Sequence, residues 1–251
     1  MPSPESQYVF GIRPVIEAIR SGREIDKVLI KRGLRGELFH ELSGLIKTEN
    51  IPVQYVPVEK INRFTRKNHQ GIIALMSVIE YARLDHILPS LYEEGKIPFL
   101  IMVDGVTDVR NLGAIIRSAE SAGIHALILP VKRSALPTTD TIKTSAGALF
   151  HLPICRTDNL KNTLIYLKES GLQLVVATEK AEKSYHDIDY TSPTIIIVGA
   201  EDKGVSKQVY DIVNELVKIP MAGKTNSLNV SVAAALLMYE AVRQRMISAG
   251  P

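Results

Sequence analysis

FLIMVDGVTDVRNLGAIIRSAESAG, residues 99–123, runs from an apolar strand (99–104) through a polar loop into a helix of small and apolar residues (111–122). The strand is apolar up to its closing Asp104 and does not alternate, as expected of a strand buried on both faces. Strands of similar character recur at HALILP (125–130), LFHLPI (149–154), LQLVVAT (172–178), TIIIVG (194–199) and ELVKI (215–219). Helical segments alternate with them at 111–122, 139–147, 158–169, 206–213 and 228–246. That alternation predicts an α/β fold with a parallel sheet covered on both faces. Ligands of such sheets bind beyond the carboxyl ends of the strands. The informative loops are therefore those after residues 104, 178, 199 and 219.

The loop after Asp104 lacks the glycine-rich turn of a dinucleotide-binding or conventional methyltransferase fold. It has Asn111 at a helix start and Arg117 six residues on. Asn111 reads as an N-cap or as a site residue. Arg117 sits among apolar neighbours and is expected to be buried or half-buried, with an anion or carboxylate partner. VGAEDKGVS, residues 198–206, spaces Gly199 and Gly204 like a phosphate loop but has Val205 where that motif needs Lys. Glu201 there is a solvated loop acid, a helix N-terminal charge or a site residue. IPMAGKTNSLNVSVAAALLMYEA, residues 219–241, carries a polar loop directly into a helix that Ser227 or Asn229 could cap.

Upstream, residues 1–80 form a smaller alternating unit, with helices around Ile12–Ile19, Leu38–Ile46 and Val58–Phe64 and strands at Ile25–Lys31, Val53–Val56 and Gly71–Ile79. Residues 81–98, with two prolines and Gly95, read as a linker with a short helix at Ile87–Glu93. The net charge of +3 lies entirely in residues 1–80, which hold 12 basic and 9 acidic side chains, against 18 of each in residues 81–251. The basic residues cluster at Lys27, Lys31, Arg32 and Arg35, and at Arg63, Arg66 and Lys67 beside His69. Phosphate contacts or plain solvation explain such clusters.

With 45% apolar residues the chain is globular, and no apolar run approaches the roughly 18–20 residues of a membrane span. No secretory signal is visible, so a cytoplasmic protein is expected. The single Cys155 excludes an internal disulfide framework, and the six histidines form no close ligand pair, so no metal is expected.

The order and combination of these loops resemble the SpoU (TrmH-like) family of RNA ribose 2′-O-methyltransferases. Residues 104–117, IIIVGAEDKGVS and IPMAGKTNSLNVSVA are similar to its three motifs. YVFGIRPVIEAI and HQGIIAL resemble a substrate-binding domain related to ribosomal protein L30e. The resemblance implies an L30e-like RNA-binding domain over 1–80, a linker over 81–98 and a trefoil-knotted methyltransferase domain over 99–251. It implies S-adenosylmethionine as cofactor, a homodimer that completes the active site, and as substrate a guanosine ribose of 23S rRNA. A tRNA enzyme of the same family and a catalytically silent ribosome-assembly factor are the alternatives.

Carried over by motif, Asn111, Arg117, Glu201, Ser227 and Asn229 are the catalytic or substrate-positioning residues. Thr178, Gly199, Ile219, Met221 and Leu228 line the cofactor pocket. Lys31, Arg32, Arg63, Arg66 and Lys67 would meet RNA. Val109 and Asp202 depart from the family pattern, which has Pro and Gly at those positions.

Overall fold

A computed structural model describes residues 8–200 and 203–248. The chain divides into two units, Met1–Glu80 and Tyr81–Pro251. In the first unit β1 (Tyr8–Phe10), α1 (Ile12–Arg20), β2 (Ile25–Lys31), α2 (Glu37–Thr48), β3 (Val53–Val56), α3 (Val58–Asn62) and β4 (Ile72–Met76) follow in order. The sheet order is β1-β4-β2-β3; only the β2–β3 pair is parallel. The interior strand β2 meets apolar side chains on both faces, so its centre Val28–Ile30 is an uninterrupted apolar run. Val28 and Ile30 pack with Val15, Ile16 and Leu42 of α1 and α2, whereas Leu29 packs with Val56, Ile61 and Ile73 on the other face. β1 was not legible as a strand, because three residues are too few to show a period of two.

Residues 81–98, read from sequence as a linker, contribute instead to the second unit. They contain α4 (Leu84–Glu93), whose Leu88 joins that unit's core beside Cys155 and Leu164. Next come β5 (Phe99–Asp104), α5 (Val109–Ser121), β6 (Ala126–Pro130), α6 (Thr139–Thr144), β7 (Ile154–Thr157), α7 (Leu160–Glu169), β8 (Gln173–Ala177) and β9 (Lys183–Ser184). β10 (Thr194–Gly199), α8 (Lys207–Tyr210), β11 (Glu215–Lys218) and α9 (Val230–Ser248) complete it.

The expected parallel sheet is present. Its order is β7-β6-β5-β10-β8-β11-β9, with every pair parallel. β10 inserts between β5 and β8, and β11 between β8 and β9. The chain thus re-enters a sheet that its own earlier strands already frame. A threaded order of this kind is what the family resemblance implied, and it is foreign to simple doubly wound sheets.

The strand expected over 149–154 is corrected. Ala146 and Gly147 both have positive φ and end α6, and residues Ala148–Phe150 close a 3-10 turn. Pro153 cannot donate to a ladder, so β7 begins only at Ile154.

Arg245 ties the last turns of α9 to the opposite end of the sheet. Its guanidinium lies 4.4 Å over the Phe99 ring and donates to the carbonyls of Tyr190 and Ser192 at 2.9 Å each and of Ile97 at 3.2 Å. The other end of α9 is thereby held at the carboxyl edge of the strands. No described helix is long and apolar enough to cross a membrane.

Candidate active site

The carboxyl edge of the sheet gathers the loops singled out from sequence. α5 is capped by Asp108, whose side chain accepts from Arg110 N at 2.8 Å. That backbone donor, with the Arg110 guanidinium behind it, holds the Asp108 carboxyl below its usual range. Asn111 is therefore not the cap. It lies in the first turn of α5, where its Oδ1 accepts from Asn229 Nδ2 at 3.0 Å.

Asn229 directly precedes α9. Its Oδ1 accepts from Ser231 N at 2.9 Å and from Ser231 Oγ at 2.6 Å. Of the two candidate caps for α9, Asn229 takes the role and Ser227 stays exposed on the preceding loop. One side chain thus caps one helix and grips the first turn of another, 118 residues apart in sequence. The Asn111–Asn229 bond brings the two helix N-termini together, and their positive dipole ends favour an anion there. Asn229→Ala removes all three of these bonds. Loss of the cap alone is expected to cost about 1 kcal/mol of stability, measured by denaturant unfolding.

Arg117 departs from expectation: it is exposed, and it makes no hydrogen bond or ion pair with the described residues. The buried stripe of α5 is Leu112, Gly113, Ile115, Ile116 and Ala119, and position 117 falls outside it. Glu201 lies outside the described residues, as does Asp202.

Gly199 ends β10 in register with Asp104 of β5. Asp104 Oδ2 accepts from Ser206 N at 2.6 Å, and Gly204, at φ 63°, donates to Ala200 O at 2.7 Å. The turn folds so tightly that a Cβ on Gly199 would overlap the Gly204 carbonyl carbon and the Val205 nitrogen. Sequence reasoning missed Asp104; a carboxylate closing an otherwise apolar strand was the available signal.

Three of the five expected cofactor residues stand side by side. Gly199 ends β10, and Thr178 and Ile219 follow the ends of β8 and β11; β8 lies between the other two strands in the sheet. Adjacent strands lie about 4.8 Å apart, so these residues share one short edge. Thr178 N donates to Val217 O at 2.8 Å, and Tyr210 Oη donates to Thr178 Oγ1 at 3.4 Å, a residue that sequence reasoning did not single out. Met221 is exposed and Leu228 half-buried on the loop that runs on from Ile219. Backbone polar groups beside accessible apolar side chains suit a flat heterocycle with an aliphatic tail.

The first unit keeps Lys31, Arg32, Arg63, Arg66 and Lys67 exposed. Among the described residues, no group of three His, Cys, Asp or Glu side chains could hold a metal ion.

The parallel sheet, with β10 and β11 inserted between earlier strands and the singled-out loops at its carboxyl edge, has the order expected of a SPOUT-class α/β methyltransferase, and the solved relatives are of that class. Two family models match the chain: the SpoU rRNA Methylase family over residues 98–239, and the RNA 2′-O ribose methyltransferase substrate-binding domain over residues 8–82. The chain is 36% identical over 244 residues to the putative TrmH family tRNA/rRNA methyltransferase YacO of Bacillus subtilis, covering 97% of this chain and 98% of that one. The SpoU methyltransferase AviRb of Streptomyces viridochromogenes, solved in complex with the cofactor AdoMet, superposes with a TM-score of 0.60 at 29% identity, over 96% of this chain and 90% of that one. An AdoMet-bound rRNA methyltransferase of Sinorhizobium meliloti superposes at 0.61 with 25% identity, over 96% and 88% of the two chains. The protein belongs to the SpoU methyltransferase family.

Proposed function

We propose that the protein transfers a methyl group from S-adenosylmethionine to the ribose 2′-OH of a guanosine in 23S rRNA. The observation that carries this reading is the Asn229–Asn111 hydrogen bond, which joins the first and third motifs at one anion-favouring corner, with the exposed Arg117 on the same helix α5. The AdoMet-bound relatives and the fit of the Gly199, Thr178 and Ile219 edge support the cofactor. When bound, it supplies a methyl group activated by a cationic sulfur.

The chain's own residues then have distinct tasks. The loops after β10 and β11 hold the donor through backbone groups. Asn111 and Asn229 shape the corner that receives the ribose, with Ser227 on the same loop as Asn229, and Glu201 orients the loop of the second motif. Arg117 clamps an RNA phosphate and stabilises negative charge growing on O2′. A guanidinium stays protonated at any working pH, so we assign it electrostatic work and not proton removal.

The reading includes a cytoplasmic homodimer built on α9. Val232, Leu236, Tyr239, Met246 and Ile247 leave an exposed apolar stripe along that helix, with Met246 70% and Ile247 67% exposed. Stripes of that length are commonly covered by another subunit.

The first unit is the RNA reader. Reversing Arg63, Arg66 and Lys67 together to Glu is expected to weaken RNA binding roughly ten- to hundredfold and to flatten its salt dependence, with cofactor affinity unchanged. Filter binding at several salt concentrations measures this, and unchanged affinity would refute the role. The substrate itself is decided by incubating the protein with labelled S-adenosylmethionine and unmodified 23S rRNA or tRNA, then mapping the label. A single guanosine in 23S rRNA is expected; label in tRNA alone selects the tRNA enzyme, and no label with intact cofactor binding selects the assembly factor.

A further inference from the structure

We infer that His69 is a positioning residue for RNA, its imidazole joining the two cationic segments of the first unit into one prefolded surface; this rests on the reading of that unit as the RNA-binding part. Lys31 and Arg32 end and follow β2, whereas Arg63, Arg66 and Lys67 lie between α3 and β4. The two segments meet at Gly71.

Lys31 N donates to Gly71 O at 2.8 Å, and Gly71 N donates to His69 Nδ1 at 2.9 Å. Because Nδ1 accepts, the ring proton sits on Nε2, which donates to Asn62 Oδ1 at 2.8 Å. The neutral ring thus spans the loop from the last residue of α3 to the residue before β4. Gly71 has φ +78°, and a Cβ there would come within 3.0 Å of Lys31 Cβ, so the Lys31 side chain lies directly over it.

Two further tethers fix the same loop. Gln70, itself at φ 51°, accepts from Ile12 N at 3.0 Å through Oε1, and Tyr8 Oη donates to Phe64 O at 2.8 Å. Backbone and uncharged side chains hold the loop, while Arg63, Arg66 and Lys67 remain exposed.

The physical consequence is preorganisation. A loop fixed before binding does not lose its conformational freedom on binding, so the contacts it makes count more fully toward affinity. A fixed array of cations also matches phosphates that are themselves fixed, which is the case for folded RNA recognised by shape. His69 carries no charge in this arrangement and releases no counterion of its own.

The test uses the full chain and an unmodified 23S rRNA transcript, with binding measured across a range of potassium chloride concentrations. His69→Ala is expected to weaken RNA affinity roughly tenfold and to reduce the steepness of the salt dependence, although no charge is removed. S-adenosylmethionine affinity should stay at the wild-type value. Asn62→Ala, which keeps the imidazole and changes only an exposed partner, should reproduce the loss in weaker form, and it decides the matter if His69→Ala does not fold. Wild-type affinity and salt dependence in these variants, with binding weakened by the triple charge reversal, would overturn the positioning role alone. Wild-type affinity in the triple reversal would overturn the RNA-reading role and this inference with it.

Discussion

Arg117→Ala should slow methyl transfer about 10²–10³-fold, the usual loss when one preorganised donor to a developing oxyanion is removed. The protein should otherwise be intact. Arg117 lies outside the buried stripe of α5 and is bonded to no described residue, so its removal opens no cavity and leaves no buried group unpaired. Substitutions at such surface positions typically move stability by no more than about 0.5 kcal/mol. Cofactor affinity should be unchanged, because the cofactor edge is built from β8, β10 and β11 and not from α5. Arg117→Lys separates the two roles an arginine could have here. A clamp keeps its charge but loses the bidentate fork, so activity falls with the pH profile unmoved. Retained activity with an optimum displaced toward the lysine range would show proton transfer instead.

Gly199→Ala acts by a different route and should be as damaging. The added methyl would overlap the Gly204 carbonyl carbon and the Val205 nitrogen, which are backbone atoms that cannot rotate away. Gly204 and Val205 would have to move away from Gly199, at the expense of the Ser206 N to Asp104 Oδ2 bond. Overpacking of this kind costs roughly 1–3 kcal/mol, and the rigid neighbours place Gly199 at the upper end. Two measurements should move together: the unfolding midpoint falls, and S-adenosylmethionine binding is lost at temperatures where the protein is still folded. A variant with normal stability and normal cofactor affinity would mean that the turn is softer than its packing implies.

The sheet was legible because buried parallel strands read as apolar runs, as in FLIMV and TIIIV. What escaped had local causes. β1 and β9 are too short for any period to show. LFHLPI has a strand's composition, but the left-handed Ala146 and Gly147 before it and Pro153 within it move the strand to Ile154. Residues 81–98 carry prolines and a glycine in linker fashion, yet Leu88 and Leu91 are buried and hold α4 on the second unit.

The candidate site's loops were singled out from sequence, and the structure gathers them at one edge, but the way they are joined was not legible. The Asn111–Asn229 contact joins residues that no local spacing relates, and only the family resemblance placed them together. Arg117 looked buried because its sequence neighbours are apolar; the helical period turns it outward. The N-cap role assumed possible for Asn111 belongs to Asp108, three residues earlier.

The central claim is that this corner methylates a ribose oxygen. The direct measurement is to incubate the protein with methyl-labelled S-adenosylmethionine and unmodified 23S rRNA and then hydrolyse the product with alkali. Methylation at O2′ blocks cleavage of the adjacent phosphodiester. The label is expected in an alkali-resistant dinucleotide, and the same assay with Arg117→Ala should leave it near background. Label recovered in mononucleotides, on a base, would contradict the account.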